Sequence, residues 1–556
     1  MPNKKEIIIN LSGSNSLNIW LIISVFLVLL VVTPLLVIIF SSLKVDIEVW
    51  RHIYRYLIIN YISNSLLLVV GVSLVTFFIG VLSAWFIAFY NIPFKNIIST
   101  LLILPIAIPP YAMAYCYADL TDKGGYINNI SSFFFNESFV SGLSVRTLLG
   151  SIFVLSLTLF PYIFLITKYA FQNNALKVIE SAANLGASKF KLLLKFALPV
   201  SRPALVAGIT LVVMESLADF GVVHYLGINT LSVGVYKAWF GFDDLNSSAR
   251  LAVILLLFTL TIIIIERYFR KDKKENYVSY GQETNVGILF NSQITFPLIF
   301  LITIIFFSFI IPITWLLINV ISHDFNNFHQ VISSAINSIK LALLGSFIIV
   351  AFATIIIFTK RICKLNVFSL ILNFSKVGYA SPGIVVAIGI ITPSIFFDKK
   401  ISLLFSYFNK DIGLILTGSI TILIFAYLVR FLSVAFNPIE SGMDKISEKI
   451  DFSALNLGAT RTTLFFKIHF PMIFTTCFIG FLLIFIDILK ELPITLILRP
   501  FNFNTLAVYT FEYASSEQLV LASFPALLIT IIGLIPLIFI NKIINYKIGN
   551  KRYEYN

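Results

Sequence analysis

Five stretches of this chain, residues 18–40, 204–218, 251–265, 296–320 and 521–541, run almost without charge. About 20 consecutive apolar residues span a hydrocarbon layer roughly 30 Å thick. Hydrocarbon offers the backbone no hydrogen-bond partner, so each stretch must satisfy its own amides by forming a helix. A large soluble core is the alternative. It fails because only 12% of the 556 residues are charged while 58% are hydrophobic, too little polar surface for a folded body of this size. The first stretch is too long for a signal-peptide core and lacks a clear small-residue cleavage site, so it is read as a span.

Apolar run length predicts an all-α polytopic membrane protein with about 12 transmembrane helices. In the first half they centre on 18–41, 61–90, 99–119, 147–170, 203–227 and 250–268, and in the second on 295–320, 337–359, 368–396, 412–436, 472–497 and 520–541. The net charge of +13 does not point to nucleic acid. Lys and Arg fall between the apolar blocks at alternate gaps, as a membrane protein places them, and no basic helix is interleaved with aromatics. With the N-terminus cytoplasmic, inside segments hold roughly 25 basic residues and outside segments roughly 11. The inside set includes Lys4, Lys5, Lys168 to Arg202, Arg267 to Lys274, Lys360 to Lys364 and Lys542 to Arg552; the loop with Lys399, Lys400 and Lys410 is an exception. Both termini are therefore expected in the cytoplasm. The polar run 267–285 reads as a linker. Cys116, Cys363 and Cys477 are far apart and read as small packing residues.

The two halves repeat each other. ESAANLGASKFKLLLKFALPVSRPA at 180–204 matches FSALNLGATRTTLFFKIHFPMIFTT at 452–476. Gly186 aligns with Gly458, Pro199 with Pro471, Glu215 with Asp487 and Asp219 with Glu491, all at one offset. Asn229-Thr230-Leu231 aligns with Asn504-Thr505-Leu506 after a small insertion. Six-span halves entering from one side form a parallel repeat about an axis along the membrane normal. The expected domains are 1–268, a linker at 269–292, and 293–556. In the repeated loops, 177–202 and 437–471, an apolar helix face of Ala182, Leu185, Phe190 and Leu193 is expected among Lys189, Lys191 and Lys195. Gly186 permits a positive-φ turn, and Pro199 is expected to end one element and open the next. Such a segment suits a groove in a partner.

These loops resemble the EAA loop of binding-protein-dependent ABC importer permeases. Glu180, Ala182, Gly186, Leu198 and Pro199 fit that pattern, with Ser181 and Phe196 as departures; in the second copy Ala454, Gly458 and Pro471 fit, while Phe452 stands at the Glu position, just after Asp451. The resemblance implies two tandem six-helix type I (MetI-like) repeats. It also implies two copies of a cytoplasmic ATP-binding subunit that use ATP and Mg²⁺, one coupling helix per subunit, and alternating access. Segments 215–240 and 490–519 are similar to the fused ferric iron permeases, which implies a periplasmic ferric iron-binding protein as partner and an inner-membrane location. Thiamine permeases share the fused plan; thiamine, another small cation such as a polyamine, an anion, and an ion-gradient-driven secondary transporter are the competing readings.

No GxxxxGK[ST] loop, HExxH or His/Cys cluster occurs in the sequence, so no enzyme activity and no cofactor of its own are expected. The sharp feature is a pair of acids in each half. Glu215 and Asp219, and Asp487 and Glu491, are four apart and would share a helix face. Ionisable groups at such depth usually face a cavity or a partner. Two readings stand: a translocation path for a hard cation, or a structural role in which the acids pair with Lys490, Arg499 or Lys237 or cap the outer helix ends. His224 and Tyr225 are weaker candidates, and Pro105, Pro109, Pro110 and Pro382-Gly383 are expected to bend helices.

Overall fold

A computed structural model of the chain describes residues 15–44, 48–122, 125, 144–271, 294–323, 328–363, 381–407 and 413–550. In chain order its main helices are α1 (Asn15–Ser42), α2 (Glu48–Phe89), α3 (Lys95–Ala107), α4 (Pro110–Thr121), α5 (Leu148–Ala170), α6 (Leu176–Asn184), α7 (Lys189–Val200), α8 (Arg202–Ala218), α9 (Gly221–Tyr225), α10 (Leu231–Tyr236) and α11 (Leu245–Lys271). They continue with α12 (Thr295–Ser322), α13 (Phe328–Ile362), α14 (Gly383–Ser406), α15 (Ile420–Asp444), α16 (Glu448–Asn456), α17 (Arg461–Leu489), α18 (Pro493–Leu498), α19 (Leu506–Ser515) and α20 (Leu519–Asn550).

Among the described residues, nine helices are long and apolar enough to cross a membrane. The number is eleven if two bent pairs count as one span each. One pair is α3 with α4, bent by 93° at the stretch that holds Pro105, Pro109 and Pro110. The other is α7 with α8, bent by 78°. The expected span at 368–396 runs partly outside the described residues. Its continuation, α14, carries Asp398, Lys399 and Lys400 in its second half. Pro382 does not bend a helix there; it caps the start of α14. The linker predicted at 267–285 lies almost wholly outside the described residues.

The helices fall into two compact units. Unit 1 comprises residues 1–44 and 336–503. In it α1 packs on α14, and α15 on α17. Ser24 donates to Thr359 at 2.7 Å, and Trp20 packs on Phe358 and Phe465. Gly389 lets α14 approach the backbone of Pro34 so closely that a Cβ would lie 2.5 Å from its carbonyl.

Unit 2 comprises residues 45–335 and 504–556. Its centre is α2 against α5, with α8 laid on both. Gly71 and Gly80 of α2 make that seam, because a Cβ at either would run into Ile152 or Ile163. This is the small-residue contact that lets membrane helices approach. The helix α2 has 42 residues, about 60 Å at 1.5 Å per residue, so it extends well past a hydrocarbon layer.

Candidate functional site

Each repeat builds the same elbow. The helices α6 and α16 end in one hydrogen-bond pattern. Ala187 N–H donates to the Ala182 carbonyl and Gly186 N–H to Ala183; Ala459 donates to Ala454 and Gly458 to Leu455. Gly186 and Gly458 hold φ of +80° and +82°. A glycine in the left-handed region with these two reversed bonds is the Schellman stop of a helix. The chain then restarts at Ser188 and Thr460, and both following helices pass through π-helical turns at Leu192–Ala197 and Leu464–His469.

The predicted apolar face is divided. Ala182 and Leu193 are buried, as are Ala454 and Phe465 at the same places in the second repeat. Leu185 and Phe190 point outward instead. A three-residue step cannot keep Leu185 on the face of Ala182 once the helix stops at Asn184. Leu185 and its counterpart Leu457 are each 89% exposed, at the tip of the elbow. Beside the first tip lies an open groove of about 470 Å³, lined by Val178, Ser181, Ala182, Leu185, Ala187 and Phe196. Glu180 is half-buried on α6. Pro199 is the last residue but one of α7, as expected of a residue that ends an element; the break falls at Ser201, followed by Pro203. Pro471 sits at the same place inside the unbroken α17.

The inner supports of the elbows differ in kind. Behind the second elbow, Asp451 accepts from Arg361 Nε at 2.7 Å and meets His469 Nε2 at 2.8 Å. The Arg361 guanidinium also donates to the Met443 and Ile446 carbonyls at 2.6 and 2.8 Å. Lys360 pairs with Glu440 nearby. Burial alone would raise the Asp451 carboxyl, but the bonds from His469 and Arg361 outweigh it and hold its pKa below the usual carboxylate range. At the matching positions of the first repeat stand Ile179 and Ala197, both fully buried. Asp451 thus explains why an acid stands one place before the Glu position of the loop: it faces inward as an anchor.

The paired acids do not share helix faces, because both helices stop between them. α8 ends at Ala218, and Asp219 is extended, with its Oδ1 accepting the N–H groups of Val222 and Val223 at 3.1 and 3.3 Å. α17 ends at Leu489, and Glu491 Oε1 accepts the N–H of Ile494 at 3.2 Å. The second acid of each pair therefore caps the short helix after a break. Glu491 is buried against Arg430 Nη1 at 3.0 Å, and Asp487 pairs with Lys490 at 2.9 Å. The structural pairing expected for Lys490 holds. Arg430, within α15, was not singled out by sequence; an intramembrane arginine was the available signal. Lys237 donates to Asn229 Oδ1 at 2.8 Å. Thr230 and Thr505 begin α10 and α19, so the repeated Asn-Thr-Leu is a helix start in both halves. His224 packs on Phe220, Tyr236 and Phe511, and the Tyr225 hydroxyl lies 3.4 Å from Arg146 Nη2. Cys116, Cys363 and Cys477 are buried and unbridged.

Residues 76–274 match the family described as binding-protein-dependent transport system inner membrane component. They include the first elbow, the broken pair α7 and α8, and Asp219. The chain carries a binding-protein-dependent transport permease domain. An Fe(3+)-transport system permease protein of Haemophilus influenzae is 22% identical to this permease over 499 residues, 88% of this chain and 91% of that protein. A molybdenum transport system permease of the same organism is 24% identical over 219 residues, 38% of this chain and 93% of that protein. A sulfate transport system permease of Escherichia coli is 24% identical over 248 residues, 43% of this chain and 87% of that protein. The described residues are thus helical, with nine to eleven candidate membrane spans, and the matched domain is one of a family of inner-membrane transport components.

Proposed function

We propose that this permease is the membrane subunit of an ATP-driven importer that moves ferric iron, received from a periplasmic binding protein, by alternating access. The reading rests on one observation: two glycine-stopped elbows of identical hydrogen-bond pattern, each exposing a leucine at its tip. A pair of equal, exposed apolar points on rigid stops suits two copies of one soluble partner. An ATP-hydrolysing subunit on each elbow would turn nucleotide-driven closure into movement of α7 and α17, which lead directly into the membrane. The repeats run 1–268 and 293–556, joined at 269–292, with both termini cytoplasmic. A molybdenum permease fitting almost whole within 38% of this chain supports the doubling. The likeness across 88% of the chain to an iron permease favours ferric ion.

Glu215, Asp219, Asp487 and Glu491 are proposed to line or shape the path. Asp487 and Glu491 each have a cation partner, so their negative charge is largely offset. That pairing also keeps an oxyanion as a second reading, in line with the molybdenum and sulfate permeases.

The test is reconstitution with the cognate ATPase and binding protein. Ferric uptake should require ATP, and Leu185→Asp with Leu457→Asp should abolish it while the permease still inserts. ATPase binding unaffected by both substitutions would reject the elbow assignment. Molybdate or sulfate uptake without ferric uptake would reject iron.

A further inference from the structure

The two repeats treat one corner differently. At the offset that aligns Gly186 with Gly458, Lys168 aligns with Glu440 and Ala88 with Lys360. The same offset aligns Thr147 with Ser419, the residues that cap α5 and α15, so the register holds for these helices. In the second repeat Glu440 pairs with Lys360, and that corner neutralises itself. In the first repeat a lysine stands at the place of the glutamate.

Lys168 Nζ donates to Ser99 Oγ at 2.7 Å and lies 5.9 Å from the centre of the Phe164 ring. Ser99 is buried, one turn after Lys95 on α3, so both lysines flank the same hydroxyl. Lys95 Nζ reaches back to the Ala88 carbonyl at 3.4 Å, near the end of α2, and lies within electrostatic range of Lys168. Among the described residues neither ammonium pairs with a carboxylate, although each has three N–H donors to place. Lys189, the first residue of α7, lies over the Tyr90 ring at 5.4 Å and brings a third cation to the turn between α2 and α3. Half-buried charges of one sign are costly unless an anion offsets them.

We propose that Lys95 and Lys168, the latter held by Ser99, bind the phosphate of an anionic phospholipid. The place suits a headgroup. α2 ends at Phe89, α3 begins at Lys95 and α5 ends at Ala170, and basic pockets between the ends of membrane helices take such headgroups. Phe94 and Ile97, beside Lys95, are 77% and 58% exposed. An acyl chain would cover them, whereas a free phosphate would gain nothing from them. The site lies on the side of the first elbow, because α5 leads from Lys168 towards α6. The matched pair Lys360 and Glu440 leaves the second repeat without a counterpart, so lipid would brace one elbow only. The inference is independent of which solute is carried.

The test is native mass spectrometry of the full permease in detergent, titrated with phosphatidylglycerol or phosphatidylcholine. The wild type should retain the anionic lipid in preference. Lys95→Gln with Lys168→Gln keeps hydrogen-bonding side chains and should weaken retention about thirtyfold, and each single substitution about fivefold, from the usual contribution of a lysine near anionic lipid. Lys168→Glu gives the corner the charge found in the second repeat and should abolish the preference while the protein still folds. Lys399→Gln with Lys400→Gln removes the same charge from exposed positions and should leave retention unchanged. If the double variant at 95 and 168 does not fold, the single variants decide. Equal retention of the two lipids by the wild type, wild-type retention in the Lys95 and Lys168 variants, or an equal loss in the Lys399 and Lys400 control would overturn the site. Inorganic phosphate that raises the melting point as much as phosphatidylglycerol does would also overturn it, in favour of a free anion.

Discussion

The Asp451 carboxylate and the His469 imidazole meet at 2.8 Å behind the second elbow, where the first elbow has Ile179 and Ala197. One elbow is fixed by charge and hydrogen bonds, the other by apolar packing. These supports respond differently to solution conditions, because an ionic anchor depends on protonation and apolar contact does not.

The sign of the pH effect follows from Asp451. Its folded-state pKa is depressed below the ordinary 3.8, by His469 and Arg361 against the opposing pull of burial. A depressed carboxylate stabilises the fold above its unfolded pKa and loses that contribution as pH falls through the folded value. The second elbow should therefore hold from neutral pH down to about 4 and loosen below it, with no matching change in the first. Hydrogen exchange of segments 448–460 and 176–188 checks this. Asp451→Asn should speed exchange in 448–460 at neutral pH, by an amount equivalent to about 1.5–3 kcal/mol for a lost charge-assisted bond. Equal exchange in the variant and the wild type would refute the anchor.

The two elbow glycines give a paired prediction. Nothing lies within 4 Å of a Cβ built on Gly186 or Gly458, so alanine meets no clash there. The penalty is the left-handed backbone alone, about 1–2 kcal/mol. Gly186→Ala and Gly458→Ala should cost similar amounts and lower uptake together with ATPase stimulation. Gly186→Asp or Gly458→Asp should uncouple more strongly without blocking insertion. An alanine variant that is more stable than the wild type would show that these stops are unstrained.

Gly383 makes a different case, because space is the constraint. A Cβ there would overlap the Arg430 guanidinium and the Glu491 carboxylate. Breaking a buried pair costs more than the pair itself contributes, since each charge is left desolvated. Gly383→Ala should lower the thermal midpoint of the purified permease, and Glu491→Gln should act in the same direction because Ile494 also loses charge at its helix cap. A Gly383→Ala variant with unchanged melting would mean that Arg430 can swing aside.

Much of this was readable from residue order. The matched spacing Gly186/Gly458 gave the elbows, and their Asn-Leu-Gly-Ala frames mark where each helix stops. The apolar blocks gave an all-helical membrane body. The helix break after Ala218 was not legible, because neither glycine nor proline stands at 218 or 219 and the short helix that follows is as apolar as a continuous span. The break after Leu489 did have a signal, since Pro493 has no N–H for the Leu489 carbonyl. Asp219 and Glu491 therefore do not share a face with Glu215 and Asp487; of the structural readings, capping is the one both fulfil. The outward turn of Leu185 was hidden for a related reason: helical periodicity predicts its face only while the helix continues. Arg361 was counted with the loop charges that fix orientation, yet its guanidinium is taken up by Asp451 and two carbonyls.

The bend at Ser201 separates the repeats in a way one substitution can test. Pro203 has no N–H for the Pro199 carbonyl, and its ring crowds that oxygen, which breaks a helix. In the second repeat the corresponding residue is Thr475, and α17 runs unbroken from Arg461 to Leu489 although Pro471 lies within it. A lone proline at that position is therefore tolerated, and the second proline makes the difference. Pro203→Ala should straighten α7 into α8. Spin labels at 190 and 214 should stand about 28 Å apart across the 78° bend and about 36 Å apart in a straight helix, taking 1.5 Å per residue. Because the bend sets the angle at which the first elbow meets the membrane, straightening should also lower uptake while leaving the second elbow's hydrogen exchange unchanged. A label distance that stays near the shorter value would assign the bend to packing of α8 on α2 and α5 instead.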